Sequence, residues 1–221
     1  MSRPKLLDLF CGTGGASMGY SRAGFDVIGV DINPMPNYPL EFHQGDALEY
    51  LKAHWFEFDA VHASPPCQAS ATLTKGTNAG REYPQLIPAT RAALLATGLP
   101  TVMENVQGSD LRRDLTLCGE MFGLGVIRHR YFEVNFPVVQ PKHVAHRGRV
   151  AGMRHGEWFT GPYFAVYGDG GGKGTVAQWQ AAMGIGWTNV RKEIAEAIPP
   201  KFTEFVGSQL LAHLSWSEVP A

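Results

Sequence analysis

Cys67 is the residue of this 221-residue chain whose surroundings best suit a nucleophile. It follows a short apolar segment, residues 58–63, and two prolines, Pro65 and Pro66. The segment predicts a buried strand, which the prolines end because proline has no N–H for a further ladder bond. The thiol is therefore expected at the carboxyl end of a strand, where ligands bind in open α/β sheets. The alternative is a buried structural cysteine, against which the polar Gln68 argues.

An acid and two arginines accompany strand candidates further along the chain. Residues 101–104 predict a strand that ends at Glu104, directly before Asn105. Taken alone, such an acid is more often half of a surface salt bridge. Arg128 and Arg130 stand at the beginning of another predicted strand. Together with Cys67, these residues offer a thiol, a carboxyl group and guanidinium groups, which are the components of nucleophilic catalysis with charge stabilisation.

A glycine loop near the N-terminus indicates a nucleotide-like ligand. Residues 5–10 predict a strand that runs into Gly12, Gly14 and Gly15, and a helix follows. Glycines allow close approach of the backbone, and the helix N-terminus offers free N–H groups. The dinucleotide fingerprint requires a third glycine where this chain has Ser17, so the loop departs from the NAD pattern.

Two more acids follow strands after this loop. Residues 25–31 predict a strand ending in Asp31, where a carboxylate can accept hydrogen bonds from ribose hydroxyls. A solvated acid at the strand end is the alternative. A short third strand at residues 40–43 precedes Asp46. Because parallel strands share one carboxyl edge, we expect Asp31, Asp46 and Cys67 to lie on one rim.

The remaining pattern predicts a mixed α/β chain. The polar stretch after Cys67 is too long for a plain connector, which suggests a functional lid or a disordered loop. Residues 115–124 predict a short helix or turn with a structural Cys118, and residues 157–186 predict irregular or short β structure. Helices are expected at residues 87–97, 190–197 and 202–214.

Composition limits the class of protein. The chain is 44% hydrophobic and 18% charged with a net charge of −1, which indicates one globular unit. Its three cysteines form no C-x-x-C pair, which favours a reducing compartment. No apolar stretch has the length of a membrane span, and no secretory signal is recognisable, so a cytoplasmic location is expected.

One segment departs from this balance. Residues 128–155 contain six lysines or arginines and one acid, Glu133. Such asymmetry predicts a polyanionic partner, with Arg147 and Arg149 as candidate phosphate contacts. His143 and His146 suggest a metal site, but no cysteine or carboxylate set stands beside them, so no metal is expected.

In this order, the motifs resemble those of the DNA (cytosine-5)-methyltransferase family. DLFCGTGG is similar to the family's cofactor loop, and Asp31 and the GDAL around Asp46 are similar to its second and third motifs. The spacing of PPCQ and ENV, about 40 residues apart, is specific to the family. The R-x-R at residues 128–130 and the segment 197–211 match two later motifs, and the length is most like that of phage and prophage methylases.

The resemblance implies a Rossmann-like S-adenosylmethionine-dependent methyltransferase fold, a mostly parallel sheet with helices on both faces. Residues 1–134 and 183–221 would form the catalytic domain, and 135–182 a small, irregular target-recognition insert. The implied catalytic residues are Cys67, Glu104, Arg128 and Arg130. The implied cofactor-binding residues are Phe10, Gly12, Gly14, Gly15, Asp31, Ile32, Asp46, Ala47 and Pro66. The implied substrate-binding residues are Gln68, Asn105, Arg147 and Arg149. A monomer acting on double-stranded DNA is expected, with S-adenosylmethionine as cofactor and S-adenosylhomocysteine as product.

Some positions depart from the family pattern. Asp31 stands where glutamate is usual, Val126 where glutamine is usual, and Glu196-Ala197 where a Gly-Asn pair is typical. Three alternatives therefore stay open: the same methylation on RNA or a free cytosine nucleotide, a dinucleotide oxidoreductase, and a non-enzymatic nucleic-acid-binding module derived from a methylase. Ser17 argues against the oxidoreductase, and the intact Cys67 and Glu104 argue against the binding module.

Overall fold

A computed structural model of the chain describes residues 2–66, 86–155, 157–167 and 174–217. Its centre is a seven-stranded sheet in the order β3-β2-β1-β4-β5-β7-β6. The strands are β1 (Lys5–Leu9), β2 (Asp26–Asp31), β3 (Glu41–Gln44), β4 (Ala60–Ala63), β5 (Thr101–Val106), β6 (Leu115–Cys118) and β7 (His129–Val134). Strands β1 to β5 run parallel, whereas β7 pairs antiparallel with both β5 and β6. This mostly parallel sheet confirms the predicted fold class.

Helices cover both faces of the sheet. They are α1 (Gly15–Ala23), α2 (Ala47–His54), α3 (Leu86–Ala96), α4 (Val176–Met183), α5 (Arg191–Glu196) and α6 (Pro200–Ser217). Leu6 and Leu7 in β1 belong to two different apolar clusters, because successive strand residues point to opposite faces. The Leu6 cluster packs against α1 and α6, and the Leu7 cluster against α2 and α3.

Helices α1 and α6 are in unusually close contact. A Cβ on Gly19 would lie 2.0 Å from Thr203 Oγ1 and 2.2 Å from the Pro200 carbonyl oxygen. Thr203 Oγ1 donates a hydrogen bond to the Ala16 carbonyl at 2.8 Å. The absence of a side chain at Gly19 therefore lets α6 support the helix that follows the glycine loop.

Two element predictions were wrong or incomplete, and one helix was not predicted. Residues 115–124 begin with strand β6, paired with β7, and continue into a 3-10 turn at Gly119–Phe122. Within residues 157–186, helix α4 follows a capping box at Thr175. Helix α2 begins after Asp46, whose carboxylate caps it by accepting from the Leu48 and Glu49 amides. In each case the stabilising contact is a pairing or a cap that hydrophobic spacing does not reveal.

The described part of residues 135–182 packs against the main sheet. Strands β8 (Gly152–Arg154) and β9 (Glu157–Phe159) pair with each other, separately from the seven-stranded sheet. Trp179 and Val166 are buried in the same apolar cluster as Phe132 of β7. The division of the chain into a catalytic domain and an insert stays a prediction. No helix in the described ranges is long and apolar enough to cross a membrane.

Candidate active site

The carboxyl edge of the parallel strands gathers most of the predicted site. Asp31 at the end of β2 is in register with Gln44 at the end of β3, and the Gly45 amide donates to the Asp31 carbonyl at 2.9 Å. Strands β4 and β5 end on the same edge; Pro65 follows β4, and Asn105 lies in the last part of β5. The expected rim is thus present up to Pro66. Cys67 and Gln68 lie outside the described residues.

Glu104 is a buried acid with a nearby cation. Its side chain is 5% exposed, and Arg130 Nε lies 2.8 Å from Glu104 Oε1. This contact is an ion pair without hydrogen-bond alignment, and no other donor within the described ranges reaches that oxygen. Burial raises the pKa of Glu104 to about 7, against the opposing effects of Arg130 and Arg128. The carboxyl group can therefore hold or release a proton near neutral pH.

Asn105 connects the ends of two strands. Its Nδ2 donates to the Pro65 carbonyl at 2.8 Å, and its Oδ1 accepts from the Val106 amide at 2.9 Å. The side chain is buried, so its amide is committed to backbone groups on both sides. These contacts make Asn105 a positioning residue that fixes the end of β4 beside Glu104. That Asn105 also binds substrate stays a prediction.

The two arginines of the R-x-R motif have different surroundings. Arg128 is buried, and its Nη1 donates to the Ala197 carbonyl at 2.6 Å. Its Nη2 donates to the carbonyls of Ala195 at 2.6 Å and Val166 at 2.7 Å. This guanidinium therefore ties the beginning of β7 to the end of α5, and the catalytic role of Arg128 stays a prediction. Arg130 is the arginine that faces Glu104.

The glycine loop and Asp31 form the second half of the rim. Asp31 Oδ2 accepts from the Gly12 amide at 3.1 Å, and Oδ1 accepts from the Asn33 amide at 2.9 Å. Gly12 has φ of 50°, and no described atom lies within 4 Å of a Cβ placed there. Phe10 also has a left-handed φ, 58°, and Ile32 is 65% exposed. An acid, an open backbone and an exposed apolar side chain therefore stand together.

Other predicted cofactor residues have structural contacts. A Cβ on Gly15 would lie 2.3 Å from the Ile198 carbonyl oxygen, and one on Gly14 would lie 2.9 Å from Tyr38 and Pro39 atoms. Both glycines are therefore required for packing. Ala47 is buried in the first turn of α2, and Asp46 caps that helix. Pro66 is exposed at the end of β4.

Ser17 has a structural reason that the sequence did not reveal. Its hydroxyl donates a short hydrogen bond to Asp8 Oδ2 and accepts one from Tyr38 at 2.7 Å. Burial raises the pKa of Asp8 to about 7. The serine that departs from the dinucleotide fingerprint therefore hydrogen-bonds one oxygen of a buried carboxyl group in β1.

Glu193 is an organising residue that the motifs did not identify. Its carboxylate accepts from Thr13 Oγ1 at 3.2 Å, from Asn37 Nδ2 at 3.1 Å and from the Thr188 hydroxyl. Trp187 Nε1 also donates to the Thr13 carbonyl, at 2.8 Å. These contacts hold the glycine loop against α5. In the sequence, the departure from the family pattern at Glu196-Ala197 was the signal that this region differs from the family.

The basic segment is partly compensated. Arg147 Nε lies 2.7 Å from Glu120 Oε1, and Tyr163 donates to Glu120 Oε2 at 2.5 Å. The Arg147 guanidinium also lies over the Tyr163 ring, 5.7 Å from its centroid. Arg149 is exposed. Of the two candidate phosphate contacts, Arg147 therefore has its charge partly compensated by Glu120, whereas Arg149 is exposed.

Comparison with known sequences gives a match to part of this chain. No family model matches the chain. A type II methyltransferase, M.AquIA of Picosynechococcus sp., is 31% identical over 125 residues, which cover 47% of this chain and 49% of that protein. The chain therefore matches about half the length of this curated relative.

Solved structures are similar over almost the whole chain. The Dnmt2 methyltransferase of S. pombe has a TM-score of 0.65 at 14% identity, covering 96% of this chain and 99% of that one. EhMeth, a methyltransferase of Entamoeba histolytica, has a TM-score of 0.62 at 13% identity with full coverage of both chains, 100%. A DNMT2 variant of Spodoptera frugiperda has a TM-score of 0.61 at 14% identity, covering 96% and 99%. The chain thus has the Rossmann-like fold of the S-adenosylmethionine-dependent methyltransferases.

Proposed function

We propose that this chain transfers a methyl group from S-adenosylmethionine to carbon 5 of cytosine in DNA. The observation that carries the proposal is the buried pair of Glu104 and Arg130, which lies on the same strand edge as the open glycine loop and Asp31. A desolvated carboxyl group beside a guanidinium suits a cytosine ring that must be protonated and held in position. The match to a methyltransferase of known type covers about half of that protein, so substrate and activity both belong to the proposal.

The rim fits the cofactor in three respects. The free space at Gly12 admits a ligand next to the backbone, and the Asp31 carboxylate stands where ribose hydroxyls would donate. Ile32, the residue after Asp31, offers an exposed apolar surface for the adenine ring. When bound, S-adenosylmethionine supplies an electrophilic methyl group on a sulfonium centre.

The chain's own residues would then activate the cytosine. The Cys67 thiolate adds to carbon 6 of the ring, forming a carbon–sulfur bond and making carbon 5 nucleophilic. Protonated Glu104 donates to ring nitrogen N3, so that negative charge does not accumulate in the ring. Arg130 holds the carbonyl oxygen O2 or keeps Glu104 in place. After methyl transfer, a base removes the proton from carbon 5, and elimination releases the Cys67 thiolate.

The basic segment supports a nucleic acid as substrate. Lys142 and Arg149 are exposed and lie in a stretch with few acids. In duplex DNA the target base must leave the stack, at a cost of about a few kcal/mol. A small insert presents few base contacts, so we expect a short recognition sequence, about 2–4 base pairs, with each contact contributing about 1–3 kcal/mol of discrimination. The small insert also keeps RNA and free cytosine nucleotides as alternatives.

Labelled methyl transfer tests the proposal directly. The protein is incubated with labelled S-adenosylmethionine and, in parallel, with duplex DNA, RNA and dCMP. Label in the DNA is the expected result, and bisulfite sequencing should place it in one short motif. Label in RNA or dCMP alone would change the substrate, and label in none of the three would overturn the assignment as an enzyme.

The covalent step has its own test. DNA that carries 5-fluorocytosine should form a denaturant-stable adduct, because fluorine cannot leave carbon 5 as a proton does. The Cys67→Ala variant should form none, and unfluorinated DNA is the control for the wild-type protein. An adduct that persists in Cys67→Ala would contradict the role of this thiol.

A further inference from the structure

Four potential metal ligands meet at the end of the sheet opposite β3. The Sγ of Cys118 and one nitrogen from each of His129, His143 and His146 all lie within 4.8 Å of one another. Cys118 Sγ is 3.3 Å from His146 Nε2, and His129 Nε2 is 3.2 Å from His143 Nε2. The sequence showed the two histidines of the loop but not the cysteine, which is 25 residues earlier than His143.

Two of these separations match the edges of a metal coordination tetrahedron, and all of them are within 4.8 Å. Ligand atoms at about 2.0–2.3 Å from a tetrahedral zinc ion lie about 3.3–3.6 Å from one another. The measured sulfur–nitrogen and nitrogen–nitrogen distances, 3.3 and 3.2 Å, are close to those edges. A pair of hydrogen bonds would also give such contacts, but it would not require all four atoms to lie within 4.8 Å of one another.

The ligand types also suit a metal. Thiolate and imidazole are the ligands of structural zinc sites, in which four protein groups leave no open position. Cys118 is fully buried, whereas His143 and His146 are exposed, so an ion can enter from the solvent side. The three imidazoles also lie in mutual contact, at ring-centroid distances of 5.2–5.4 Å.

We propose that Cys118, His129, His143 and His146 bind one zinc ion in a closed, structural site. The ion would connect three separate parts of the chain: the end of β6, the beginning of β7 and the loop at residues 135–151. That loop precedes β8 and carries Lys142 and Arg149, the exposed cations assigned above to DNA. The site therefore fixes the basic loop to the catalytic sheet.

The metal would also act on the position of Arg130. His129 is its neighbour in β7, and residue 129 pairs with Cys118 across the two strands. Successive residues of a strand point to opposite faces, so the ion holds one face of β7 while Arg130 contacts Glu104 on the other. His129 is thus a positioning residue for the ion pair, and this role rests on the function proposed above.

Metal content is the first measurement. Protein expressed with zinc and purified without chelators should contain about one zinc per chain, the stoichiometry of a single four-ligand site. The His143→Gln variant should lose most of this zinc, and it is the most informative variant because the side chain is exposed and folding should survive. The matched control is His43→Gln, which removes an exposed histidine in β3, away from the cluster.

Cobalt reports on the identity of the ligands. Replacing zinc by Co²⁺ should give the visible absorption of a tetrahedral site, together with a thiolate charge-transfer band. Cys118→Ser should lose that band, whereas Cys11→Ser, which changes another buried cysteine, should keep it. This readout depends on neither methyl transfer nor DNA binding, so the metal site and the proposed function can fail separately.

Two outcomes would overturn the proposal. Wild-type protein that contains no zinc and takes up none from buffered Zn²⁺ would make the cluster a hydrogen-bonded group of imidazoles and a thiol. Zinc bound equally by wild type, His143→Gln and Cys118→Ser would place the ion elsewhere. Loss of zinc in the ligand variants and retention in both controls is the supporting result.

Discussion

Glu104 has two opposing influences on its charge. Removal from water favours the neutral acid, whereas Arg130 at 2.8 Å and Arg128 favour the carboxylate. Desolvation is the larger effect, so the pKa rises to about 7 from an ordinary 4.5. A carboxylic acid that stays protonated up to neutral pH is the form that the proposed contact with cytosine N3 requires.

The pH dependence of the reaction should therefore depend on Glu104. Because its raised pKa is about 7, the protonated fraction falls as pH rises, and the single-turnover rate should decline above that pH. Glu104→Gln should lose this decline and be at least about 10²-fold slower, the usual effect of a positioned acid. Rate profiles of wild type and variant, measured from about pH 5 to about pH 9, would show both the lower rate and the lost decline.

An exposed acid provides the control. Glu49→Gln, in α2, should keep the wild-type rate and profile. Near-normal turnover by Glu104→Gln would mean that the ion pair of Glu104 has a structural role only. The same raised pKa has a consequence for stability: the folded protein keeps a proton that the unfolded chain releases, so stability falls as pH rises between 4.5 and about 7.

At the scale of elements, close contacts rather than ligands explain several of the glycines. Gly19 in α1 has no room for a side chain, because Thr203 and the Pro200 carbonyl stand within 2.2 Å of its Cβ position. A solvent-exposed glycine in a helix would be improved by alanine, by about 1 kcal/mol. The packing of α6 reverses that expectation.

We expect Gly19→Ala to destabilise the protein by about 1–3 kcal/mol, the usual cost of overpacking. Gly45→Ala should change stability by less than about 0.5 kcal/mol, because no described atom lies within 4 Å of a Cβ there. Urea unfolding measures both. Equal stabilities for the two variants would mean that α1 and α6 separate easily.

Arg128 allows a second test at this scale. Its guanidinium donates to three carbonyl oxygens, and lysine cannot reproduce that fork. Arg128→Lys should lower the free energy of unfolding by about 2–4 kcal/mol, the range for lost hydrogen bonds to a buried charge. Arg149→Lys, at an exposed position, is the control. A fully stable Arg128→Lys variant with a slow reaction would instead support the predicted catalytic role.

Local signals predicted the elements that local signals can define. Strands β1, β2, β4 and β5 follow from apolar runs ended by glycine, proline or an acid, and their shared edge follows from parallel pairing. Strand β6 could not be distinguished from a helix, because the four residues LTLC fit both. Its state is decided by its pairing with β7, in which Leu117 is in register with Arg130. That partner lies outside the local sequence that a helix or strand prediction uses.

The site was predicted to a similar extent and for similar reasons. Motif residues such as Asp31 and Glu104 lie on the expected edge because strand ends place them there. The partners of Thr13 and Cys118 could not be inferred, since Glu193 is 180 residues from Thr13 and His146 is 28 residues from Cys118. Such contacts arise only once the sheet has been assembled.

At the scale of the whole molecule, charge is distributed unevenly. The net charge is only −1, yet the basic loop contains exposed Lys142 and Arg149. Arg147 is a poorer probe of DNA binding, because its removal would also break the contact with Glu120. The attraction of the loop to phosphates is therefore better tested at Lys142 and Arg149 than at Arg147.

The double variant Lys142→Ala/Arg149→Ala should bind DNA more weakly, with a salt dependence that is flatter by about one unit for each lost phosphate contact. Affinity for S-adenosylmethionine should not change. Lys52→Ala, in α2, is the control for removal of an exposed lysine. An unchanged salt slope in the double variant, measured by titration at several ionic strengths, would leave the loop without a role in DNA binding.

The contact between α1 and α6 also affects how the chain can fold during its synthesis. The glycine loop and α1 leave the ribosome first, but Pro200 and Thr203, which pack against Gly19, follow some 180 residues later. Until then, the apolar side of α1 has no α6 to cover it. Contacts between such distant parts of a sequence slow folding and expose nascent chains to aggregation. The cofactor loop can therefore take its final support only when α6 has been synthesised, so the nascent chain should be unable to retain S-adenosylmethionine before α6 emerges.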